Sequence, residues 1–401
     1  MNKKMLAGLI LATLCGASLY SLSVASAGGA GTSMTTSTPA ADAQTSRVVA
    51  AANAFLSTLS AAQKKAAVFA FTDQTQRVNW SNFPLGGPGA NRKGVRWGEM
   101  NPAQRAALMT LLGSVLSPSG VEMVKGQMLA DDLVRATDQG AGPASTGAQG
   151  SDAPAAGIAT AATKPASSGQ PPAGGLPSGS RPAISFGSDY YFVSFVGTPS
   201  ASSPWMLQFG GHHLAINATV VGKDITLSPS LTGGEPIKVT FNDKTYTLVP
   251  NVPVEAQAAY ALLQTLSAAQ KARAVVSTTR ADLVLGPGHD GQVLQPEGLP
   301  GSAMTAAQKT QFLALIRDRL GILNADDLAA KMTGITQHLD KTYFAWFGPT
   351  TSAGAAYHRV TGPTVIIEFA PQANDGDPSN HLHNMYRDPT NEYGAAWTKL
   401  K

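Results

Sequence analysis

Cysteine is almost absent. The chain of 401 residues has one, Cys15, inside an apolar run near the N-terminus. If that run is removed, no thiol remains, and disulfides, thiolate catalysis and cysteine-based zinc sites are all ruled out. Charge is scarce as well. Charged residues make up 13% of the chain, about half of the usual share in a globular protein. The 29 basic and 25 acidic residues include Lys3 and Lys4 at the extreme N-terminus, so the rest of the chain is close to neutral. No basic stripe with interleaved aromatics occurs, and the sequence gives no support for a nucleic-acid partner. Also missing are G-x-S-x-G, the P-loop, H-E-x-x-H and G-x-G-x-x-G, which argues against serine hydrolases, nucleotide binders and common zinc proteases.

The N-terminus has the form of an export signal. Lys3 and Lys4 precede an apolar run from Met5 to Tyr20, and Ala25-Ser26-Ala27 supplies the small residues of a cleavage site. The run is too short to predict a stable membrane span after cleavage. Leu14 stands before Cys15 where a lipoprotein signal has a small residue. The expected organisation is a signal peptide over 1–27, a flexible Gly/Ser/Thr/Ala tether over 28–46 and a folded chain over 47–401, periplasmic or secreted. A stretch at about 139–182 is nearly all Ala, Gly, Ser, Pro, Thr and Gln. It cannot bury enough apolar surface to offset the entropy of ordering it, and is read as a disordered insertion.

An internal repeat is the most informative feature. TLSAAQK at Thr58–Lys64 recurs at Thr265–Lys271. Met100, Ala103, Gln104, Leu111 and Leu112 then align with Met304, Ala307, Gln308, Leu315 and Ile316. Tyr191-Phe192 with Phe195 aligns with Tyr343-Phe344 with Phe347. The offset shrinks at this third match by an amount close to the length of the low-complexity stretch. Ser60-x-x-Gln63, Ser267-x-x-Gln270 and Thr305-x-x-Gln308 are capping boxes, and Asn101-Pro102 with Gln104 is a capped helix start. Strands are predicted over 190–196, 214–221, 342–347 and 364–369. The expected fold is α+β: two pseudo-symmetric repeats, 47–250 and 251–401, each a pair of helices followed by antiparallel strands, packed as one domain.

Four of the seven histidines fall in two clusters, His212-His213 and His381-x-His383. The other three, His289, His338 and His358, are assigned no role. Residues two apart in an extended segment share a side, which suits His381 and His383 to one metal ion. Adjacent residues in a strand point to opposite sides, so one of His212 and His213 is expected at the site. Aligning Gly211 with Gly362 places His213 opposite Thr364 and Asn217 opposite Glu368, and a two-fold arrangement would bring His213 near Glu368. His212 or His213 with His381, His383 and Glu368 forms a nitrogen–oxygen set suited to zinc, copper or iron. Glu368 could instead be a general base. Arg387 could hold a carboxylate or phosphate through its planar fork, or form a local ion pair. Trp80 is read as the core anchor of an irregular loop.

These residues carry a resemblance. Trp80-x-Asn82-Phe83-Pro84, Trp205 with Phe209-Gly210-Gly211-His212-His213, Glu368, and His381-Leu382-His383-x-x-x-Arg387-Asp388 resemble the bacterial family known as domain of unknown function 3500, from about Asn53 to Trp397. Met385-Tyr386 depart from that pattern, in which a tryptophan precedes the arginine by two. The resemblance implies a fold-sized unit and no mechanism. The expectation is therefore an exported protein with a histidine-rich metal site at His212, His213, His381 and His383. A metal-dependent hydrolase leads, with Glu368 and Arg387 as catalytic candidates. The alternatives are a metal-dependent oxidoreductase and a non-catalytic module for an anionic small molecule or peptide.

Overall fold

In a computed structural model the described residues are 42–87, 89–140, 184–372 and 377–398. The expected signal peptide, most of the tether and most of the low-complexity stretch lie outside them. The first helix begins at Ala43, inside the segment expected to be tether, with Asp42 capping it through Thr45 N at 2.8 Å. Among the described residues, no helix is long and apolar enough to cross a membrane.

The helices form where the caps dictate. Helix α1 covers Ala43–Thr58, α2 Ala61–Ala67, α3 Pro102–Val115 and α4 Pro118–Gly140. Later come α5 Asn251–Thr265, α6 Ala268–Ala274, α7 Ala306–Leu320 and α8 Ala325–Gln337. Ser60 and Gln63 close a capping box on α2, and Ser267 and Gln270 close one on α6. Gln104 then reaches from the first turn of α3 to Thr58 O at 2.9 Å and Gln63 Oε1 at 3.0 Å. Gln308 reaches from α7 to Thr265 O at 2.9 Å and Gln270 Oε1 at 3.0 Å.

The strands are β1 Val68–Phe69, β2 Phe192–Val196, β3 Trp205–Gly211, β4 Leu214–Val221 and β5 Ser230–Gly234, then β6 Val275–Ser277, β7 Tyr343–Phe347, β8 Tyr357–Gly362, β9 Val365–Pro371 and β10 Leu382–Arg387. They pair in the order β1-β2-β3-β4-β5-β10-β9-β8-β7-β6, within one sheet that also takes in three short strands off this path. The sheet is mixed, where only antiparallel strands were expected. β1 runs parallel to β2 and β6 parallel to β7, while the remaining neighbours on the path are antiparallel. Parallel pairing needs a long crossover, and the chain makes one through α3 and α4 between β1 and β2.

All eight labelled helices lie on one face. Val48, Phe55, Leu108 and Leu112 pack on Val193, Phe195, Trp205 and Leu207, while Leu262, Phe312 and Ile316 pack on Phe344, Trp346, Val360 and Ile367. Each such side chain, fully buried, contributes about 1.5–3 kcal/mol. The other face is covered by irregular segments, with Trp80, Met206, Ala215, Leu231, Met385 and Tyr393 as a smaller core. Side chains alternate along a strand. On β10, Leu382, Asn384 and Tyr386 therefore face the helices, and His383, Met385 and Arg387 face away. β5 and β10 meet at the middle of the sheet, Gly233 opposite His383. The Cβ that any other residue would carry at 233 would lie 2.0 Å from Leu382 O, so the close approach of the two strands demands glycine.

Candidate metal centre

The Gly-Gly-His-His segment is a tight hairpin. Gly211 pairs with Leu214, and His212-His213 form the two-residue turn between β3 and β4. His213 takes φ of +58°, unusual for a bulky residue. Its N–H donates to Asn82 O at 3.0 Å, and Tyr191 Oη donates to His212 O at 2.6 Å. A Cβ at Gly211 would sit 2.5 Å from the Tyr191 ring, so only glycine lets that tyrosine reach the turn. The expectation that the two histidines point to opposite sides rested on a strand. In the turn their rings lie 3.9 Å apart, centroid to centroid.

The His-x-His segment arrives from the neighbouring strand. His381 is extended, just before β10, and His383 is the second residue of β10. The structure brings both to the turn. His213 Nε2 and His381 Nε2 are 3.0 Å apart, and the His213 and His383 rings 4.9 Å apart. One ring nitrogen from each of His213, His381 and His383 lies within 4.8 Å of the others. Two nitrogens bound tetrahedrally to one zinc ion sit roughly 3.3 Å apart. Three of the four expected histidines thus gather where the ends of β4, β5 and β10 lie side by side at the middle of the strand order.

Two carboxylates complete the cluster, and neither was singled out from sequence. Asp131 on α4 places Oδ1 2.9 Å from His212 Nδ1. One turn earlier, Gln127 donates to Gly233 O at 2.6 Å, so α4 docks beneath the site through two polar residues. Their spacing of four on the buried stripe of a helix was the available signal. Glu235 follows β5 directly. Its Oε1 is 3.6 Å from His381 Nδ1 and its Oε2 3.9 Å from His212 Nε2. It stands between a glycine pair and a proline, where no periodicity marks it. His212, His213 and Glu235 form a second group that could hold a metal ion.

Two of the imidazoles are held toward the neutral form. Burial, then the neighbouring His212, His383 and His381, hold His213 well below the ordinary range. Burial, then His381 and His212, bring His383 down to about 3. Neutral rings keep the lone pairs that a metal requires.

The structure places Glu368 and Arg387 apart from the histidine cluster. Glu368 is fully buried and accepts from Val284 N and Leu285 N, each at 2.8 Å, and from Tyr357 Oη at 2.7 Å. It shares a sheet face with His383, but the register sets it opposite Met385, while Ala370 faces His383. The histidines sit at strand ends and Glu368 in mid-strand, so it does not meet His213. Burial raises its carboxyl above the usual range, and its oxygens hold the loop over the sheet. Arg387 lies four residues along β10 from His383, roughly 13 Å away at strand rise. Its guanidinium donates to Leu285 O, Gly286 O, Asp290 and Glu392 and lies over Trp80 at 5.8 Å. Those donors are engaged within the chain, as in the local ion-pair reading. Trp80 anchors its loop, donating to Tyr393 Oη at 2.8 Å. His358 is a core residue, its ring stacked on Phe369 at 4.5 Å.

The family model described as protein of unknown function, DUF3500, matches residues 41–395. No curated protein and no solved structure matches the chain.

Proposed function

The chain belongs to the DUF3500 family, whose description names no activity, and from the site itself we propose that it binds a divalent transition-metal ion through His213, His381 and His383. The observation that carries this reading is the convergence of three imidazole nitrogens within 4.8 Å, two of them, on His213 and His383, in side chains that burial keeps toward the neutral form. That donor set suits zinc, copper or iron(II). Three protein ligands leave a coordination position for water or substrate, so a metal-activated water makes hydrolysis the leading reaction class. Copper or iron in the same set would make redox chemistry the second. The substrate class is a small molecule or peptide. A binding module that uses Arg387 for an anion has less support, since its donors are already engaged.

The chain is exported to the periplasm or beyond, on the strength of the Lys3–Ala27 pattern. Its folded part is one duplicated α+β domain, the first half to about residue 250 and the second from 251. Supporting this are the matched Gln104 and Gln308 contacts and the parallel placement of β1 on β2 and β6 on β7. So does Asn217 standing opposite Gln208 as Glu368 stands opposite Arg359. The halves then meet at β5 and β10, where the histidines gather.

The test is elemental analysis of the purified mature chain after dialysis against zinc, copper(II) or iron(II), beside a His381→Ala/His383→Ala variant. Stoichiometric metal, reduced in the folded variant, is the expected result. A wild-type chain that retains none of the three metals would end the proposal.

A further inference from the structure

Glu235 lies close to His381, a ligand of the ion proposed above, and to His212, which is not one of its three ligands. Asp131 Oδ1 lies 2.9 Å from His212 Nδ1. That contact engages one ring nitrogen of His212 and leaves Nε2 as the one available to an ion. Nε2 lies 3.9 Å from Glu235 Oε2, and His212, His213 and Glu235 each bring one ligand atom within 4.8 Å of the others. A carboxylate oxygen and a ring nitrogen at that separation are a pair that a cation can join. Zinc bonds of about 2.0–2.2 Å to nitrogen and oxygen span such a gap at an open angle. The arrangement of carboxylate, histidine and metal is the one in which the carboxylate sets the tautomer of the ligand.

We propose that the cluster holds a second divalent ion, bound by His212 and Glu235 beside His213, so that the centre is a two-metal site. His213 belongs to both groups of converging donors, which makes the two positions neighbours. Glu235 lies between them, Oε1 toward His381 and Oε2 toward His212. The ligand class that such a pair receives is an oxyanion or a water bridging two Lewis-acidic centres. This inference rests on the metal-binding reading above, and names a further position in the same site.

Zinc(II) per chain at saturation, measured by equilibrium dialysis and elemental analysis, tests it. Wild type is expected to hold two ions. Glu235→Gln keeps the shape, removes the charge and is expected to hold one. His381→Ala/His383→Ala, checked for fold by circular dichroism, is also expected to hold one. A variant combining these three substitutions with His212→Ala is expected to hold none. Retention by this combined variant would place the ions elsewhere and overturn the inference. One ion in wild type, unchanged in Glu235→Gln, overturns the second position and leaves the first. No ion in wild type removes both readings.

Discussion

Asp131 on α4 and His212 in the β3–β4 turn are joined by a 2.9 Å contact between Oδ1 and Nδ1, both side chains buried. It ties the helix layer to the histidine cluster. A carboxylate behind a metal-bound imidazole typically accounts for 10–100-fold in affinity. Asp131→Asn is therefore expected to weaken the zinc ion at His212 roughly 10–100-fold, while the ion at His213, His381 and His383 keeps its affinity. Competition with a chromophoric chelator resolves the two. Equal weakening of both ions, or of neither, would mean that His212 lies outside the metal shell.

His358 gives a pH signature independent of the centre. Burial lowers it from 6.5 to about 3, between Phe369 and Trp346. Below pH 6.5 the unfolded chain takes up a proton that the folded chain refuses. Stability from this residue is thus present above the unfolded value and lost as pH falls toward 3, by at most about 1.4 kcal/mol per pH unit. A His358→Phe variant lacks this loss. Denaturant unfolding of the two proteins from pH 7 to pH 4 is expected to give curves that diverge in favour of the variant on acidification. Parallel curves would show that His358 does not titrate on unfolding.

The sequence was most legible where local chemistry decides the outcome. The Ser60 and Ser267 capping boxes, the capped start at Asn101 and the alternation over 214–221 all depend on near neighbours, and the elements stand where those signals put them. The histidine clusters stood out because four of seven fall in two short segments. Glu368 was misplaced because symmetry fixes which residues correspond, not how far along a strand each lies from the meeting point. Register decides that, and register is a tertiary property. Glu235 and Asp131 were passed over for a related reason. A single carboxylate becomes a site residue only through what the rest of the fold brings to it.

Gln104 and Gln308 test the duplication. Each is buried, caps its own helix and makes a reciprocal amide pair with a glutamine of the TLSAAQK segment. Removing one leaves Thr58 O or Thr265 O without that donor, at about 1–3 kcal/mol per buried group. Gln104→Ala and Gln308→Ala are expected to destabilise by similar amounts within that range, read from urea midpoints with unchanged slopes. A large difference between them would argue that the two contacts do different work.

Glu368 remains the sharpest test of where the centre ends. Two backbone N–H groups and the Tyr357 hydroxyl converge on its carboxylate, so its role is to hold the 284–285 segment against β9. Glu368→Gln keeps one acceptor oxygen and turns the other into a donor facing a donor. Leaving buried donors unmatched costs about 1–3 kcal/mol each, and the midpoint of unfolding should fall accordingly. Zinc stoichiometry and affinity should not change, because the residue opposite Glu368 on β10 is Met385, while His383 stands opposite Ala370. Were the variant to unfold at the wild-type midpoint and lose metal, Glu368 would be a ligand after all, and the centre would have to extend from the ends of β4 and β10 into the middle of β9.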